Sequence, residues 1–320
     1  MTSKNFIYIS QKKCKKNKGN NDKGISYNKL CLNYFYWNII IKNYKFNEFI
    51  YKYIYIYIYK MIKIKHNAGF FSCCSIKLLQ IIEFINSQKR LPDNVDSSEQ
   101  FKMYKKEQNK DITYDFFEQY ENINDITIIH PIQYELHEQF KNYSKLDYKC
   151  INPIIKKYFT PSKKINEIID VLEKKYNIEY DNTIAVYYRG TDKFLETKLA
   201  PFEDFYNEIK KIININKNIK ILLQTDSNQF MDYINKKILK NIVIINENKT
   251  SITNKGIHNE QLSHINYYDM FNFLSTIIII SKCKYIICSS GNCSLWTILY
   301  RGNNKNVIQY LNGSWYNSSF

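Results

Sequence analysis

The sequence predicts an α/β fold in which helices cover both faces of a parallel β-sheet. From Asp181 onward, short apolar segments alternate with amphipathic segments of helical length, the pattern of repeated strand–helix units. The first such strand, Thr183–Tyr188, carries no charge, as expected of a strand buried on both faces. Polar residues follow several strands, and parallel sheets bind ligands at the carboxyl ends of their strands. We therefore expect the functional site in those turns.

The chain from Met61 begins with a strand, a glycine-containing turn and a helix. Weak alternation predicts a strand at Ile62–His66, and apolar residues at helical spacing predict a helix at Ser75–Ser87. The turn between them, Asn67–Ser72, can aim backbone N–H groups at an anion. Residues 88–160 are less regular, and the pattern there indicates a strand at Ile126–Ile129.

The second half contains the regular alternation. Pro161–Lys174 is predicted to be a helix with Ser162 as its N-cap. The predicted strands are Thr183–Tyr188, Ile219–Gln224, Ile242–Ile245, Tyr285–Cys288 and Asn306–Gln309, and the predicted helices are Phe202–Ile213, Asn228–Lys237, Tyr267–Ser281 and Ser294–Tyr300.

Composition limits the class of protein. A chain of 320 residues suits two domains, and 44% hydrophobic with 24% charged residues excludes a wholly disordered chain. No apolar run reaches about 18 residues, so the sequence predicts no transmembrane helix. The net charge is +16, but residues 1–60 hold twelve lysines against two acids, which accounts for +10 of it. The globular part is therefore a poor candidate for a nucleic-acid binder.

Residues 1–60 differ from the rest of the chain. Tyr53–Tyr59 reads YIYIYIY, the translation of a TATATA microsatellite, and Met61 follows closely. We expect translation to start at Met61, with residues 1–60 a mis-assigned upstream segment; the alternative is a real, disordered, basic extension. Peptides from before Met61 in the native protein would contradict the first interpretation.

Cysteine and histidine spacing gives no metal site. The eight cysteines lack C-x-x-C spacing and form no zinc-like cluster with histidine, so we expect free thiols in a reducing, cytoplasmic compartment. The ladder Cys283, Cys288 and Cys293 is expected to be buried. His258 and His264 are expected to pack in a loop or to hydrogen-bond a substrate, not to hold a metal. Trp296 and Trp315 are expected to pack in the core or at an edge and not to serve as a ligand platform.

The segment Ala185–Lys193 carries the strongest functional signal. Arg189 leaves the carboxyl end of a buried strand and Lys193 follows four residues later. A planar fork of donors beside a point charge suits a diphosphate. The alternative is a structural ion pair between Arg189 and Asp192 that fixes the turn.

The run YYRGTDK, Tyr187 to Lys193, resembles the H-x-R-x-T-D-K signature of the GDP-fucose-dependent fucosyltransferases, the superfamily of α1,6-, α1,2- and protein O-fucosyltransferases and bacterial nodulation fucosyltransferases. Further segments match in the same order: Ile221–Asp226, Gly256–Asn259, and Asp269 with Tyr285–Ser294. The resemblance covers about residues 181–310, and Asn67–Ser72 is similar to the family's amino-terminal glycine loop.

The resemblance implies a GT-B architecture of two Rossmann-like domains with the donor in the cleft between them. After the extension 1–60, residues 61–178 would form the acceptor-side domain and residues 179–320 the nucleotide-sugar-binding domain. The implied reaction is an inverting, metal-independent transfer of fucose from GDP-fucose to a glycan, peptide or small acceptor. It needs no cofactor beside the donor, and no nucleic-acid partner is implied.

The resemblance also implies roles for individual residues. Arg189 would contact the β-phosphate, with Lys193 as a second cation near it. The other donor-binding positions it implies are the backbone amides of Gly69 and Phe70 at the α-phosphate, Asn292 and Ser294 near the phosphates, Asp269 at guanine, and Tyr187 and Asp226 at matching motif positions.

Three positions depart from the family pattern. Tyr187 stands where the family has histidine, and Thr197 stands where the α1,6 enzymes have glutamate, with Glu196 one residue earlier. Of the family's acid pair after the second strand, only Asp226 remains. A general base must reach the acceptor hydroxyl, and Glu196 and Asp192 are both candidates.

Three other functions remain open from sequence. A GT-B transferase could use another nucleotide sugar, although only guanine offers Asp269 two donors. A non-catalytic relative that binds nucleotide or protein would fit the departures. A nucleic-acid binder is favoured by charge alone and predicts affinity that falls steeply with salt.

Overall fold

The computed structural model describes residues 61–120, 131–238, 240–250 and 262–317, and Met61–Phe320 forms one compact unit. The predicted extension 1–60, the predicted strand Ile126–Ile129 and the motif Gly256–Asn259 with His258 lie outside the described residues.

The larger sheet has six strands, in the spatial order β5-β4-β3-β6-β7-β8. The first five in sequence are parallel and the last pairs antiparallel at the edge. Because the strand order reverses between β3 and β6, the loops after these two strands diverge and leave a crevice. The strands are β3 Thr183–Tyr188, β4 Lys220–Thr225, β5 Ile242–Ile244, β6 Tyr285–Ser289, β7 Val307–Leu311 and β8 Ser314–Tyr316.

A second, two-stranded parallel sheet lies in the amino-terminal part of the described chain. Its strands are β1 Met61–Lys63 and β2 Asn94–Asp96. The helices of the described chain are α1 Phe70–Gln88, α2 Thr113–Phe116, α3 Tyr148–Tyr158, α4 Lys163–Tyr176, α5 Phe202–Ile215, α6 Asn228–Lys237, α7 Ser263–Lys282 and α8 Asn292–Arg301.

Strand β3 separates two hydrophobic clusters. Ala185 and Tyr187 face the larger cluster, whereas Ile184, Val186 and Tyr188 face the smaller one, because successive side chains of a strand point to opposite faces. Helices α5 and α6 pack on the smaller cluster. In the larger cluster α7 packs against α4 and α8, and α8 also contacts α1 and α3. The predicted mixed α/β fold with a parallel sheet, covered on both faces, is therefore confirmed.

The larger cluster extends from Ile64 and α1 to α7 and α8, across the predicted boundary between residues 178 and 179. The division into two Rossmann-like domains stays a prediction.

Helix α1 is long and apolar enough, by length and composition, to span a membrane, and is the one such helix in the described part of the chain. Nine of its residues are buried in the protein, as in a core helix.

Several element boundaries differ from prediction for identifiable reasons. Helix α1 begins at Phe70, five residues before the predicted start, because Phe70, Phe71, Cys73 and Cys74 are themselves buried core residues. Ser162 does hold the N-cap position of α4, but its hydroxyl donates to the Asp115 carbonyl instead of capping the helix.

Helix α3 and strand β8 were not predicted. Helix α3 contains Pro153, which is unfavourable inside a helix, yet one of its faces is buried through Ile151, Ile154 and Ile155. Apolar burial thus outweighs local propensity here. Strand β8 consists of three residues and forms only by pairing with β7.

The Lys77 side chain is fully buried in α1, and this predicts an unusual dependence of stability on pH. Its Nζ donates to Thr113 Oγ1 at 3.3 Å, and burial, opposed chiefly by Asp111, lowers its pKa to about 8 from 10.5. Between these pH values the unfolded chain binds more protons, so stability rises with pH by at most roughly 3 kcal/mol.

Lys77→Met should therefore stabilise the protein at pH 7 and remove this rise. Urea unfolding of both proteins at pH 7.5 and pH 9.5 measures the difference, with the exposed Lys102→Met as the control. A wild-type free energy of unfolding that is flat or falls over this interval relative to Lys77→Met would contradict the prediction.

Candidate functional site

A cavity of about 520 Å³ lies where β3 and β6 end, and this volume is in the range of small-molecule sites. Its walls come from the amino-terminal ends of α1 and α8, one side of α7 and the loops after β3, β4 and β5. All predicted site residues except Ser294 line it, namely Gly69, Phe70, Tyr187, Arg189, Asp192, Lys193, Glu196, Asp226, Asp269 and Asn292. The fold thus brings together residues separated by more than two hundred positions in sequence.

Arg189 lies between two carboxylates at the end of β3. Its Nη2 donates to Asp192 Oδ1 at 2.8 Å, and its Nε is 2.8 Å from Asp226 Oδ2, an ion pair that is too bent to be a hydrogen bond. The side chain is 17% exposed. Burial alone lowers the pKa of the guanidinium, but Asp226 foremost, together with other neighbours, raises it well above the ordinary value, so Arg189 is a permanent cation. The ion pair that the sequence left as an alternative is present, and it lies in the cavity wall.

Asp226 holds the loop after β3 in place. Its Oδ1 accepts from the Gly190 backbone N–H at 2.8 Å and its Oδ2 from the Thr191 hydroxyl at 2.7 Å. The Arg189 backbone N–H donates to Ser289 Oγ, which ties the same loop to the end of β6. Because both oxygens of Asp226 have protein partners, its geometry is that of a residue that positions Arg189. Its predicted contact with the donor stays a prediction.

Lys193 is the second cation of the cavity wall. Its Nζ lies 2.5 Å from Glu196 Oε2, and its side chain is 10% exposed. Its methylene groups lie against Gly291, where an added Cβ would be 3.2 Å from Lys193 Cε. Lys193 therefore presents its charge beside the start of α8.

The two candidate bases have different environments. Burial by itself raises the pKa of the Asp192 carboxyl, but the adjacent Arg189 guanidinium leaves it below the ordinary value, which weakens Asp192 as a base. Glu196 has a side chain that is 44% exposed and, among the described residues, one ion pair, with Lys193. Of the two, Glu196 is better placed to reach a bound hydroxyl.

Helices α1 and α8 both begin at the cavity and add positive potential to it. Their N-cap residues, Gly69 and Gly291, provide no side-chain cap. The Phe70 backbone N–H, which is predicted to contact a phosphate, already donates to Tyr104 Oη at 3.0 Å. Asn292 lines the cavity and accepts from Ser75 Oγ at 2.8 Å.

Ser294 does not reach the cavity. It is buried in α8, and its hydroxyl donates to the Ser289 carbonyl at 2.6 Å. Tyr187 lines the cavity from within the sheet, and burial raises the pKa of its phenol well above the ordinary value. Tyr187 therefore remains a neutral hydroxyl where the family has histidine.

Asp269 of α7 lines another part of the cavity wall, where its Oδ2 lies 2.7 Å from Lys249 Nζ. Lys249 follows β5 in a segment without a recognisable motif, so the sequence carries no signal for it.

Cys293 also lines the cavity and is half-buried, which corrects the expectation that it is a core thiol. Cys283 and Cys288 are buried as expected. Tyr104 and Gln139 of the irregular stretch were likewise missed.

The remaining predictions concern packing and metals. Trp296 is fully buried, and Trp315 packs on Phe205 with ring centroids 5.0 Å apart, as expected. His264 is exposed. Within the described ranges no three His, Cys, Asp or Glu side chains are grouped to hold a metal ion.

Gly190 has no room for a side chain. A Cβ at this position would lie 2.6 Å from Tyr188 Cε1, and the Tyr188 ring is held by stacking on Phe230 at 4.1 Å between centroids. We expect Gly190→Ala to lower the free energy of unfolding by about 1–3 kcal/mol, the usual cost of overpacking. Urea unfolding tests this, and an unchanged stability would show that the ring moves aside freely.

Comparison with known proteins supports the fold of the chain but not the roles of individual residues. No family model matches the sequence, and no curated protein matches it either. Among solved structures, NodZ α-1,6-fucosyltransferase co-crystallized with GDP is similar at 12% identity and a TM-score of 0.52, covering 80% of this chain and 97% of that chain. The structure of the same enzyme soaked with GDP-fucose is 13% identical with a TM-score of 0.53, at the same coverage. A further structure, of fucosyltransferase NodZ from Bradyrhizobium, is 13% identical with a TM-score of 0.50 and covers 78% of this chain and 95% of that chain. The chain therefore shares the mixed α/β fold of these proteins, as the sequence resemblance implies.

Proposed function

We propose that this protein is a glycosyltransferase of the GDP-fucose-dependent fucosyltransferase superfamily, which transfers fucose from GDP-fucose to a glycan, peptide or small acceptor. The observation that carries the proposal is the cavity at the reversal of strand order. It gathers Arg189, Lys193 and two helix N-termini around one space, with Asp269 in the same wall. Two of the solved structures that share the fold are those of a fucosyltransferase with GDP or with GDP-fucose, which agrees with the proposal.

In the proposed complex the diphosphate lies between Arg189, Lys193 and the start of α8. Negative charge grows on the β-phosphate as the glycosidic bond breaks, and fixed cations in a water-poor site stabilise that charge. The protein's own cations would neutralise the leaving group, so the proposed reaction needs no metal ion. Because Asp192 and Asp226 already orient Arg189, little reorganisation is needed when the donor binds.

The proposed transfer is a single displacement. The acceptor oxygen attacks the anomeric carbon from the face opposite the diphosphate, the bond to the β-phosphate oxygen breaks, and its electron pair leaves with GDP. The acceptor proton passes to Glu196, the candidate base with the more exposed carboxylate. At the nucleoside end, Asp269 would accept from guanine N1–H and the exocyclic amine and share its charge with Lys249.

A nucleotide-binding relative without catalysis is the second candidate. The observation that favours it is the pairing of each wall cation with a carboxylate, Arg189 with Asp192 and Lys193 with Glu196. Both candidates bind GDP, and release of fucose from GDP-fucose to water or an acceptor distinguishes them.

Calorimetric titration of the full chain with GDP tests the donor site, with UDP, ADP and GMP as controls. We expect GDP to bind at least about tenfold more tightly than each control, a difference of roughly 1.4 kcal/mol. Equal binding of UDP or ADP would overturn the assignment of the nucleotide, and a folded protein that binds none of them would overturn the donor site.

A further inference from the structure

A smaller pocket of about 110 Å³ adjoins the donor cavity and has no role in the proposal so far. Ser72, Gln139 and Asn292 line both spaces, so they form the boundary between them. At about 30 Å³ per water, this volume suits three or four waters, or one hydroxyl-bearing edge of a sugar ring.

Two buried polar atoms beside the pocket lack a well-directed hydrogen bond to the residues that the structure describes. Tyr134 is 7% exposed, and its hydroxyl, which lies beside Ser75, has no well-directed hydrogen bond within the described chain. Gln139 Oε1 is also buried without a hydrogen-bond partner in that part of the chain. Buried polar groups are nearly always paired, so two such atoms beside one pocket suit a ligand that carries hydroxyl groups.

The other walls match the two kinds of surface that a pyranose presents. Ile76, Leu79 and Leu295 provide an apolar side that suits the C–H face of a sugar. His66 lines the pocket and its Nε2 lies 2.9 Å from Ser72 Oγ. Burial lowers the pKa of the His66 imidazole, so at neutral pH the ring is neutral and offers one donor and one acceptor.

The acidic side chains at the pocket rim are already paired. Lys141 Nζ lies 2.6 Å from Glu135 Oε2 and 3.0 Å from Glu138 Oε1. The groups left to meet a ligand are therefore neutral donors and acceptors, which suit hydroxyls better than a phosphate or an ammonium group. A peptide backbone would need an extended groove, and the pocket is too small for one.

We propose that this second pocket is the acceptor subsite and that it binds a sugar by adjacent ring hydroxyls, through Tyr134, Gln139 and the His66–Ser72 pair. The proposal rests on the proposed transferase function, because Ser72 lines both spaces and a hydroxyl held beside it would face the donor. It narrows the acceptor from a glycan, peptide or small molecule to a carbohydrate.

Saturation-transfer NMR of the full chain with D-glucose, D-galactose and N-acetyl-D-glucosamine tests the subsite, with acyclic D-sorbitol as a control. We expect at least one of the three ring sugars to bind, and Tyr134→Phe to weaken that binding about five- to tenfold. The variant should keep the thermal stability and GDP affinity of the wild type, since it removes a hydroxyl that has no well-directed protein partner. Tyr158→Phe, which removes a buried hydroxyl lining neither pocket, is the matched control.

Two results would overturn the inference: no ring sugar binds to the wild-type protein, or Tyr134→Phe binds the sugar as tightly as the wild type and Tyr158→Phe do. The titrations are run with and without GDP. Failure of GDP to bind would contradict the proposed function separately, because the sugar signal is measured independently of it.

Discussion

Arg189→Ala is expected to lower GDP affinity by at least about 100-fold, close to 3 kcal/mol, and to abolish turnover of GDP-fucose. Arg189 is the one arginine among the residues that line the cavity, and its guanidinium is held there by Asp192 and Asp226. A planar fork of donors can hold two phosphate oxygens at once, which the compact ammonium of Lys193 cannot do. Calorimetry with GDP measures the loss.

Arg189→Lys separates the geometry of this side chain from its charge. Lysine keeps a cation beside Asp226 but loses the fork, so we expect at least a tenfold loss of GDP affinity with a smaller loss of stability than in Arg189→Ala. Arg301→Lys is the matched control. Arg301 donates to the carbonyls of Ser281 and Cys283 and does not line the cavity, so its replacement should leave GDP affinity unchanged. If both Arg189 variants bind GDP as tightly as the wild type, the prediction is wrong, and Arg189 serves only in the structural ion pair that the sequence left as an alternative.

Asp226→Ala is expected to be the most destabilising single change at the site, at about 3–5 kcal/mol, because it removes the more buried of the two carboxylates that flank the Arg189 guanidinium. It also removes the acceptor of the Gly190 N–H and of the Thr191 hydroxyl, so the loop after β3 loses three contacts together. Urea unfolding gives the free energy, and Asp232→Ala, an exposed acid on α6, serves as the control.

The same variant tests whether Asp226 acts through Arg189. If Asp226 only positions the guanidinium, GDP affinity should fall in Asp226→Ala, and the double variant with Arg189→Ala should bind GDP no more weakly than Arg189→Ala alone. A loss of stability below about 1 kcal/mol would contradict the account of Asp226 as the anchor of the loop, since buried partners of a charge cost more than that to remove.

Regular alternation made much of the sheet predictable. The observed bounds of Thr183–Tyr188 and Asn228–Lys237 coincide with the predicted ones, because a doubly buried strand and an amphipathic helix each carry their period in their own residues. The amino-terminal part was less predictable. Helix α3 contains a proline that argues against it locally, and its buried face finds its partners in α8.

Residues of the site were predictable where they belong to a motif. Arg189, Lys193 and Asp269 could be singled out from the order of short segments, and the fold brings them to one cavity. Lys249 and Tyr104 line the same cavity without any sequence signal, because their positions depend on packing and not on a motif or a regular period. Ser294 is the opposite case. It belongs to a motif, but its position on α8 places its side chain in the core and not in the cavity wall.

Composition, period and motif order thus sufficed for the α/β class, the parallel strands and the edge of the sheet where chemistry is expected, because each of these follows from short stretches of chain. Tertiary packing decided the rest. It set the partners of Arg189 and brought Tyr104 to the Phe70 amide from 34 residues away. It also left the Tyr134 hydroxyl, beside a second pocket, without a well-directed hydrogen bond to any residue that the structure describes. These are contacts between residues distant in sequence, and no local pattern encodes which of the available donors and acceptors will meet once the core has closed.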